Sequence, residues 1–517
     1  MYNRASGEMR IHKVEFKLRE PLAWRFVIII ILLLAFVLRL RNLPVRSLWF
    51  DESIEYWVSS APLRDVHVTL SNATHDPPLY SYILHFWQRL GISEFWLRYL
   101  SLFFSIMGVA GVIRLGQSTI GREAGAVTGI LIAFSAADIR YAQEAGQYSL
   151  MVCALAWNLV FLRLALSKND WMWWLLWGGS ALVSIYSHYG SAIMVAATAS
   201  VVLARNIFQR EWTAVVRQLT IGVASVILLL PLVLIVMPSQ LDRLGSTTHQ
   251  IDLLEFLQKS RAIVLFQLMG NQAGGWPWPN IPAWFAWAPV VVAVIFALIK
   301  TKSVLDWPVL LIVSWAIYYL VSCLGIYFFE GSRHSLLLSP LLMVTVASGI
   351  VVIRRLHSIP GLAILLSIIV VCFFAPPEGQ EDLRTTTHYW LSHHQAGEVT
   401  YVYYGAAPGF RYQLVLVNDA STNVPPTWYI DCWSGFSAPY CSENNLFYGR
   451  WIRHLSPDLK RESIFRTIGF VPERMWMIFS HIYLSEDEEI LAVFADDYRP
   501  TLSYQASNSS AYLLEKR

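Results

Sequence analysis

Charged residues are scarce in this sequence of 517 residues, where Asp, Glu, Lys and Arg together make up only 15%. A soluble domain usually carries about 25%. The formal net charge of +3 is too small, and its basic residues too scattered, to indicate binding to nucleic acid. Hydrophobic residues reach 55% and the mean hydropathy is +0.45, so a membrane protein is the first interpretation.

Motifs for metal ions and nucleotides are missing as well. The histidines and cysteines lack the spacing of metal ligands, and no glycine-rich phosphate loop is present. We expect neither a cofactor nor a nucleotide site of the Walker or Rossmann kind, while the use of a divalent metal ion stays open.

Cysteine is rare, with five in the whole chain. Cys153, Cys323 and Cys372 lie in apolar stretches and are interpreted as small packing residues. Cys432 and Cys441 bound the sequence CWSGFSAPYC, where an oxidising compartment permits a disulfide. Two unpaired thiols are the alternative, and both interpretations stay open.

What the sequence does contain is a series of apolar stretches close to the roughly 20 residues that a helix needs to cross a bilayer. The first follows a basic segment but has no small-residue cleavage site after it, so we expect an uncleaved anchor. About eleven spans are predicted, near residues 24–42, 98–116, 123–139, 147–166, 171–188, 190–206, 217–237, 281–300, 306–326, 335–353 and 359–375.

Basic residues between these stretches predict the orientation, because inner loops of membrane proteins collect Lys and Arg. With the amino terminus inside, the inner loops contain Arg122, Arg163, Lys168, Arg205, Arg210, Arg217, Lys300, Lys302, Arg354 and Arg355. An odd number of spans then places the carboxyl-terminal part outside. The predicted domains are a cytoplasmic basic segment at 1–23, a transmembrane catalytic domain at 24–375 and an extracytoplasmic domain at 376–517.

The predicted outer domain has the composition of a soluble α/β unit. Glu398–Gly405 and Arg474–His481 are rich in β-branched and aromatic residues and are predicted strands, while 381–394 and 443–468 have helical spacing. The predicted fold class is therefore an α-helical polytopic protein of the inner or plasma membrane, with a small C-terminal extracytoplasmic α/β domain.

Four polar clusters fall on the outer side of this topology, although only loop charge was used to derive it. Placing an ionisable group at membrane depth costs about 2.5–3.5 kcal/mol, so such groups usually face a cavity or a partner. We expect the clusters to converge on one outer cavity. They are Trp49–Glu52 with His75–Tyr80, Arg140–Glu144, Ser187–Tyr189 and Glu330–His334.

Asp51 and Glu52 follow the first span, near the outer membrane boundary, where a base can meet a lipid-borne donor. Asp51 as a helix N-cap is the structural alternative. His75 and Asp76 precede paired prolines, which hold the backbone extended and can fix both side chains. The alternative is a simple turn into an interfacial helix at 79–90, on which Tyr80 is an interface aromatic.

The other clusters supply cations for a phosphate. Arg333 and His334 are suited to it because Arg binds phosphate through paired hydrogen bonds. Arg140 and Glu144 lie one helical turn apart, so a structural ion pair is their alternative, and His188 has a packing role as its alternative. The candidates for binding the donor and its phosphate are His75, Asp76, Tyr80, Arg140, Glu144, His188, Arg333 and His334.

Five segments carry a resemblance to a known family. They are SLWFDESIEYWVSS at 47–60, HDPPLYSYILHFWQRLGISEFWLRYLSLFFS at 75–105, DIRYAQEAGQYSL at 138–150, YSHYG at 186–190 and, more loosely, GSRHSLLLSPLL at 331–342. In this order they resemble the bacterial branch of the GT-C glycosyltransferases related to protein O-mannosyltransferases and lipid A aminoarabinose transferase.

The resemblance implies a GT-C fold, an outer active site, a polyprenyl-phosphate sugar as donor and inversion at the anomeric carbon. It also implies that Asp51 is the catalytic base, with Glu52 as its neighbour. The acceptor is a glycan, a lipid or a protein, and the fold does not choose among them. One departure is Gly146, where relatives commonly have an arginine, so either Arg140, Arg333 or His334 substitutes for it or the donor is held differently.

Two other functions are compatible with a polar cavity in a membrane. A transporter or flippase of lipid-linked saccharides needs such a cavity, but the sequence shows no evident inverted repeat. A non-catalytic scaffold of an envelope polysaccharide assembly leaves the order of the motifs unexplained.

Overall fold

A computed structural model describes residues 21–241, 253–270, 282–303, 305–374, 381–417, 441–443 and 445–517. Up to residue 374 the described chain is helical. Its helices are α1 (Leu22–Leu40), α2 (Phe50–Ser60), α3 (Val66–Ala73), α4 (Leu79–Trp87), α5 (Glu94–Ile120), α6 (Arg122–Phe134), α7 (Ala136–Ala142), α8 (Tyr148–Lys168), α9 (Trp171–Ser187), α10 (Ser191–Phe208), α11 (Trp212–Pro231), α12 (Met237–Leu241), α13 (Leu253–Met269), α14 (Trp284–Ile299), α15 (Trp307–Cys323), α16 (Ser339–Leu356) and α17 (Ser358–Phe373). A 3₁₀ turn, Arg333–Leu338, leads directly into α16.

All eleven predicted spans coincide with helices, namely α1, α5, α6 with α7, α8 to α11 and α14 to α17. By length and composition, six of the described helices can cross a membrane, or seven if α6 and α7, bent by 61°, form one span. Helices α14, α15 and α17 are apolar but shorter. The span count of eleven therefore stays a prediction, and α13 is a helix that the hydropathy pattern did not reveal.

Helix α16 lies at the centre of the helical region. The apolar stretch Arg333–Leu356 is 94% buried, whereas the stretch Trp212–Val236 around α11 is only 17% buried. Close packing around α16 depends on Gly349, because a Cβ there would collide with the backbone of Ala293 on α14. Helix α16 is thus held by packing along most of its length, and the turn Arg333–Leu338 that leads into it carries the partly exposed Arg333.

The carboxyl-terminal part is an α/β unit, as predicted. Its six strands form one mixed sheet in the order β2-β3-β1-β4-β6-β5, in which β1 runs parallel to both β3 and β4. The strands are β1 (Val399–Val402), β2 (Cys441–Glu443), β3 (Leu446–Tyr448), β4 (Arg474–Ser480), β5 (Tyr498–Ala506) and β6 (Ser509–Lys516). The helices are α18 (Leu383–His393), α19 (Ala407–Leu416), α20 (Pro457–Ile468) and α21 (Glu486–Ala492).

The two predicted strands and the predicted helix at 381–394 are confirmed by β1, β4 and α18. The helix predicted over 443–468 is wrong in its first half, where β3 pairs with β1 and the helix begins only at Pro457. Pairing within the sheet overrides the local spacing here.

The cysteines of the helical region occupy packing positions. Cys153 and Cys372 are buried and Cys323 is half-buried, and all three are free thiols. Cys432 lies outside the described residues, so its disulfide with Cys441 stays a prediction. Most of the basic amino-terminal segment, 1–20, also lies outside them.

The α/β unit packs directly on the helical region around α2. The Trp57 indole N–H donates to the carbonyl of Pro408 at 2.9 Å, and the Tyr412 hydroxyl donates to the carbonyl of Ile92 at 2.8 Å. Arg384 forms an ion pair with Glu94 at 2.8 Å. These contacts hold α18 and α19 of the α/β unit against the helical region beside α2, the helix that carries Asp51.

Candidate active site

Asp51 and Arg333 form an ion pair although they lie 282 positions apart in the chain. About a third of the Asp51 side chain, 34%, is exposed, against 28% of Arg333. The guanidinium also lies 5.8 Å from the ring centre of Trp49 and 5.7 Å from that of Tyr148. The structure thus brings together the first and the last of the four polar clusters.

Asp51 is not the cap of its helix. Helix α2 begins at Phe50 and its N-cap is Trp49, so Asp51 lies inside the first turn. The structural alternative for Asp51 is therefore wrong. Its carboxylate points to Arg333 instead of capping the backbone.

Two further carboxyl groups, those of Asp76 and Glu144, interact electrostatically with Arg333. Burial raises the pKa of Asp76 to about 6, opposed by the charge of Arg333 and by a hydrogen bond from Gln147. Burial raises the pKa of Glu144 to about 8, again opposed by Arg333. Burial therefore favours the protonated form of both carboxyl groups, more strongly for Glu144 than for Asp76. Protonation of Glu144 limits the negative charge that an incoming phosphate would meet.

Glu52 is fully occupied by hydrogen bonds. Both its oxygens accept from Arg98, at 2.7 and 2.6 Å, and it also accepts from the backbone N–H of Ala145 at 2.8 Å and of Trp49 at 3.2 Å. The Glu52 and Arg98 side chains are only 1% and 3% exposed. Glu52 therefore anchors α2 to α5 and to the loop after α7, and Asp51 is the member of the predicted catalytic pair with an accessible carboxylate.

His188 and His334 lie behind Arg333 in an aromatic cluster. Their ring centres are 5.9 Å apart, and the hydroxyl of Tyr327 lies 3.4 Å from the Nδ1 atom of each. The ring of Tyr148 lies 5.3 Å from that of His188 and also contacts the Arg333 guanidinium. The two histidines thus belong to the cluster of rings that contacts Arg333 through Tyr148.

The other predicted residues lie around this centre. The Tyr80 hydroxyl is buried and hydrogen-bonds Ser101 at 2.8 Å, which is a packing role. His75 is exposed in the turn before α4. Arg140 donates to the carbonyl of Gly270 at 2.8 Å and acts on Glu144 through its charge.

Gly146, the departure from the family pattern, is buried next to Glu144. A Cβ at this position would lie 3.4 Å from Glu144 Oε1, so an arginine side chain would start beside that carboxyl group. In this chain Arg333 is the cation that acts most strongly on Glu144. The replacement of the family arginine by Arg140, Arg333 or His334 stays a prediction.

Several site residues were missed in the sequence. Arg98 had a usable signal, because a lone arginine at the start of a predicted span indicates a buried partner. Tyr148, Glu381 and His481 had none, since only the folding of distant segments brings them to Asp51 or Arg333. Among the described residues, no group of three or more His, Cys, Asp or Glu side chains is arranged to hold a metal ion.

Glu55, one turn after Asp51 on α2, provides a test of how burial shifts the pKa of a carboxyl group in this region. Burial raises its pKa from 4.5 to about 8, against a hydrogen bond from Ser81 of 2.6 Å. The folded protein keeps this proton where the unfolded chain releases it, so stability falls as pH rises between these values. Glu55→Gln should remove that fall and raise stability at pH 8 by on the order of 3 kcal/mol.

Thermal unfolding of the purified protein at pH 5 and pH 8 measures this effect. The control is Glu488→Gln, because Glu488 is an exposed carboxylate on α21. A Glu55→Gln variant that melts like the parent at both pH values contradicts the prediction.

Comparison with known proteins agrees with the fold. Residues 75–235 match the dolichyl-phosphate-mannose-protein mannosyltransferase family. No curated protein matches the sequence.

Similar solved structures cover almost the whole chain. ArnT from Cupriavidus metallidurans in the apo state is 10% identical, with a TM-score of 0.54 over 95% of this chain and 98% of that one. ArnT from the same organism bound to undecaprenyl phosphate is 11% identical, with a TM-score of 0.52 over the same shares. The archaeal oligosaccharyltransferase AglB from Archaeoglobus fulgidus, in complex with an inhibitory peptide and a dolichol-phosphate, is 10% identical, with a TM-score of 0.51 over 95% of this chain and 74% of that one.

These similarities define the class of the protein. The chain is a helical membrane protein with the GT-C fold of the glycosyltransferases, as the sequence motifs indicate. Within that class it resembles the mannosyltransferase family and ArnT.

Proposed function

We propose that this chain is an inverting glycosyltransferase that moves a sugar from a polyprenyl-phosphate donor to an acceptor at the outer face of the membrane. The observation that carries the proposal is the pairing of an accessible carboxylate, Asp51, with Arg333 in a fold of known glycosyltransferases. ArnT and AglB have been solved with undecaprenyl phosphate and with dolichol-phosphate, which supports a lipid-phosphate donor.

In the proposed reaction the acceptor oxygen attacks the anomeric carbon while Asp51 takes its proton. The bond between the anomeric carbon and the phosphate oxygen breaks, and the polyprenyl phosphate leaves with the electron pair. A single displacement of this kind inverts the configuration. A positioned base contributes typically about 10²–10⁴-fold to the rate.

Arg333 stabilises the departing phosphate in this scheme. A guanidinium binds phosphate oxygens through paired hydrogen bonds, and its stacking on Trp49 and Tyr148 fixes its plane. Because Arg333 also contacts Asp51, it holds the base close to the bound donor, while the attacking oxygen and the leaving phosphate lie on opposite faces of the anomeric carbon. Glu52 has no place in proton transfer, since its oxygens already accept four hydrogen bonds.

The experiment is sugar transfer by the full-length protein reconstituted in vesicles with a panel of polyprenyl-phosphate hexoses and pentoses. Glycan, lipid and peptide acceptors are supplied in turn, and a new glycosidic bond of inverted configuration is the expected product. Movement of lipid-linked sugar between leaflets without a new bond would establish a flippase instead. Absence of product from every donor and acceptor pair contradicts the proposal.

The outer location of the site is tested separately by labelling with a membrane-impermeant thiol reagent. Leu484, 93% exposed in the α/β unit, and Lys302, exposed between α14 and α15, are replaced by cysteine one at a time. In intact cells position 484 should react and position 302 should not, with the parent protein as the control for native cysteines. The reverse pattern would place Asp51 on the inner side.

A further inference from the structure

The amino terminus of α2 is capped by a residue from the other region of the protein. The first N–H groups of a helix have no partner within the helix. The N–H of Phe50 donates to Glu381 Oε2 at 2.9 Å, across 331 positions of chain. Because Asp51 is the next residue, the backbone that carries the proposed base is fixed by a carboxylate that precedes α18.

Glu381 is itself held by His481, which follows β4. The Nδ1 atom of His481 lies 2.6 Å from Glu381 Oε1, so one carboxylate joins the imidazole to the helix terminus. The imidazole also stacks on the Phe50 ring, with centres 4.3 Å apart and planes within 13°. Glu381 thus binds the backbone of Phe50, and His481 stacks on its ring.

The backbone at His481 supports a specific role for this contact. Its φ of 55° lies in the left-handed region, which a residue with a side chain rarely adopts. Such a conformation is strained and persists only where the surroundings impose it. The hydroxyl of Tyr483, 3.1 Å from His481 Nε2, holds the other side of the ring.

The charges alternate across the junction. Burial alone would lower the pKa of His481, but the hydrogen bond and charge of Glu381 outweigh it and raise the pKa, with Asp51 adding to the effect. These interactions favour the protonated form of His481 and connect Glu381, through His481, to Asp51. The groups that act electrostatically with Asp51 are Asp76, Glu144, Arg333, His334, Glu381, Tyr404, His481 and Tyr483.

We infer that Glu381 and His481 are positioning residues, through which the α/β unit sets the place and direction of the Asp51 carboxylate. The inference rests on the proposed function of Asp51 as the base. The α/β unit is then part of the active site and not an appendage, although neither residue touches the reacting atoms.

The test distinguishes a role in placing the Asp51 carboxylate from a role that only holds the α/β unit on the helical region. Glu381→Gln and His481→Gln each keep the size of the side chain but break the paired charges. Tyr412→Phe is the matched control, because it removes one hydrogen bond of the same junction, to Ile92, away from Phe50. For each full-length variant in vesicles, kcat and the KM of donor and acceptor are measured, together with the melting temperature.

Each charge-breaking variant should lower kcat by about 10- to 100-fold, because a displacement of about 1 Å of a catalytic group has an effect of this size. Both KM values should stay within about threefold, since ground-state binding is untouched. The double variant should lose little more than the worse single variant, because the two residues act as one unit. Tyr412→Phe should keep the parent kcat.

Three results would overturn the inference: parent-like kcat in both single variants, a loss of kcat in Tyr412→Phe of the same size, or a loss explained entirely by lower melting temperature. If Asp51→Asn is inactive while Glu381→Gln and His481→Gln are fully active, only the positioning role fails. If the parent protein transfers no sugar from any donor, the proposed function fails and this inference fails with it.

Discussion

Asp51→Asn is expected to lower the kcat of sugar transfer by about 10²–10⁴-fold, which is the usual contribution of a general base. Asparagine keeps the size of the side chain and can still accept a hydrogen bond from Arg333, but it cannot take the proton of the acceptor hydroxyl. The KM of the donor should change little. Turnover in reconstituted vesicles measures the effect.

The matched control is Asp65→Asn, which alters a carboxylate of nearly equal exposure, 35% against 34%, that is also paired with an arginine. Asp65 lies before α3 and pairs with Arg64, away from the site. The control should keep the parent activity. Full turnover by Asp51→Asn would remove Asp51 as the base.

Arg333→Gln is expected to weaken both donor binding and catalysis. Loss of one preorganised donor to a developing charge typically lowers kcat by about 10²–10³-fold. Arg333→Lys should recover only part of this loss, because lysine keeps the charge but lacks the planar pair of N–H groups. Binding of polyprenyl phosphate to the purified variants and turnover in vesicles measure the two effects.

The control is Arg354→Gln, near the far end of α16, the helix into which the turn Arg333–Leu338 leads. Arg354 is 50% exposed and pairs with Glu123, so the change removes a cation from α16 without touching the site. Equal losses in both variants would indicate a general effect on α16. Unchanged affinity of Arg333→Gln for polyprenyl phosphate would exclude the phosphate contact.

The helices of the membrane region and the meeting of two polar clusters could be predicted from the sequence for physical reasons. Apolar stretches of near-spanning length have few alternatives to helix, so every predicted span is a helix. Loop charge then sorted the polar clusters to one side, and the contact of Asp51 with Arg333 agrees with that sorting. The side itself is not visible in the fold and stays a prediction.

The rest depends on contacts between distant segments. The opposite roles of Asp51 and Glu52 follow from Arg98 and Ala145, which meet Glu52 only after α5 and α8 have packed. The contacts that link His481, Glu381 and Phe50 likewise form only once the sheet is complete. Strand β3 was predicted as helix because its three residues have no distinctive pattern until β1 lies beside them.

The burial of α16 has a consequence for how the protein responds to its membrane. The apolar and poorly buried α11 would face lipid in a bilayer, so changes in bilayer thickness or fluidity would act first on that outer helix. Helix α16, by contrast, is enclosed by neighbouring helices. Turnover should therefore be insulated from the mechanical state of the bilayer, and the lipids that influence it would do so by delivering the donor.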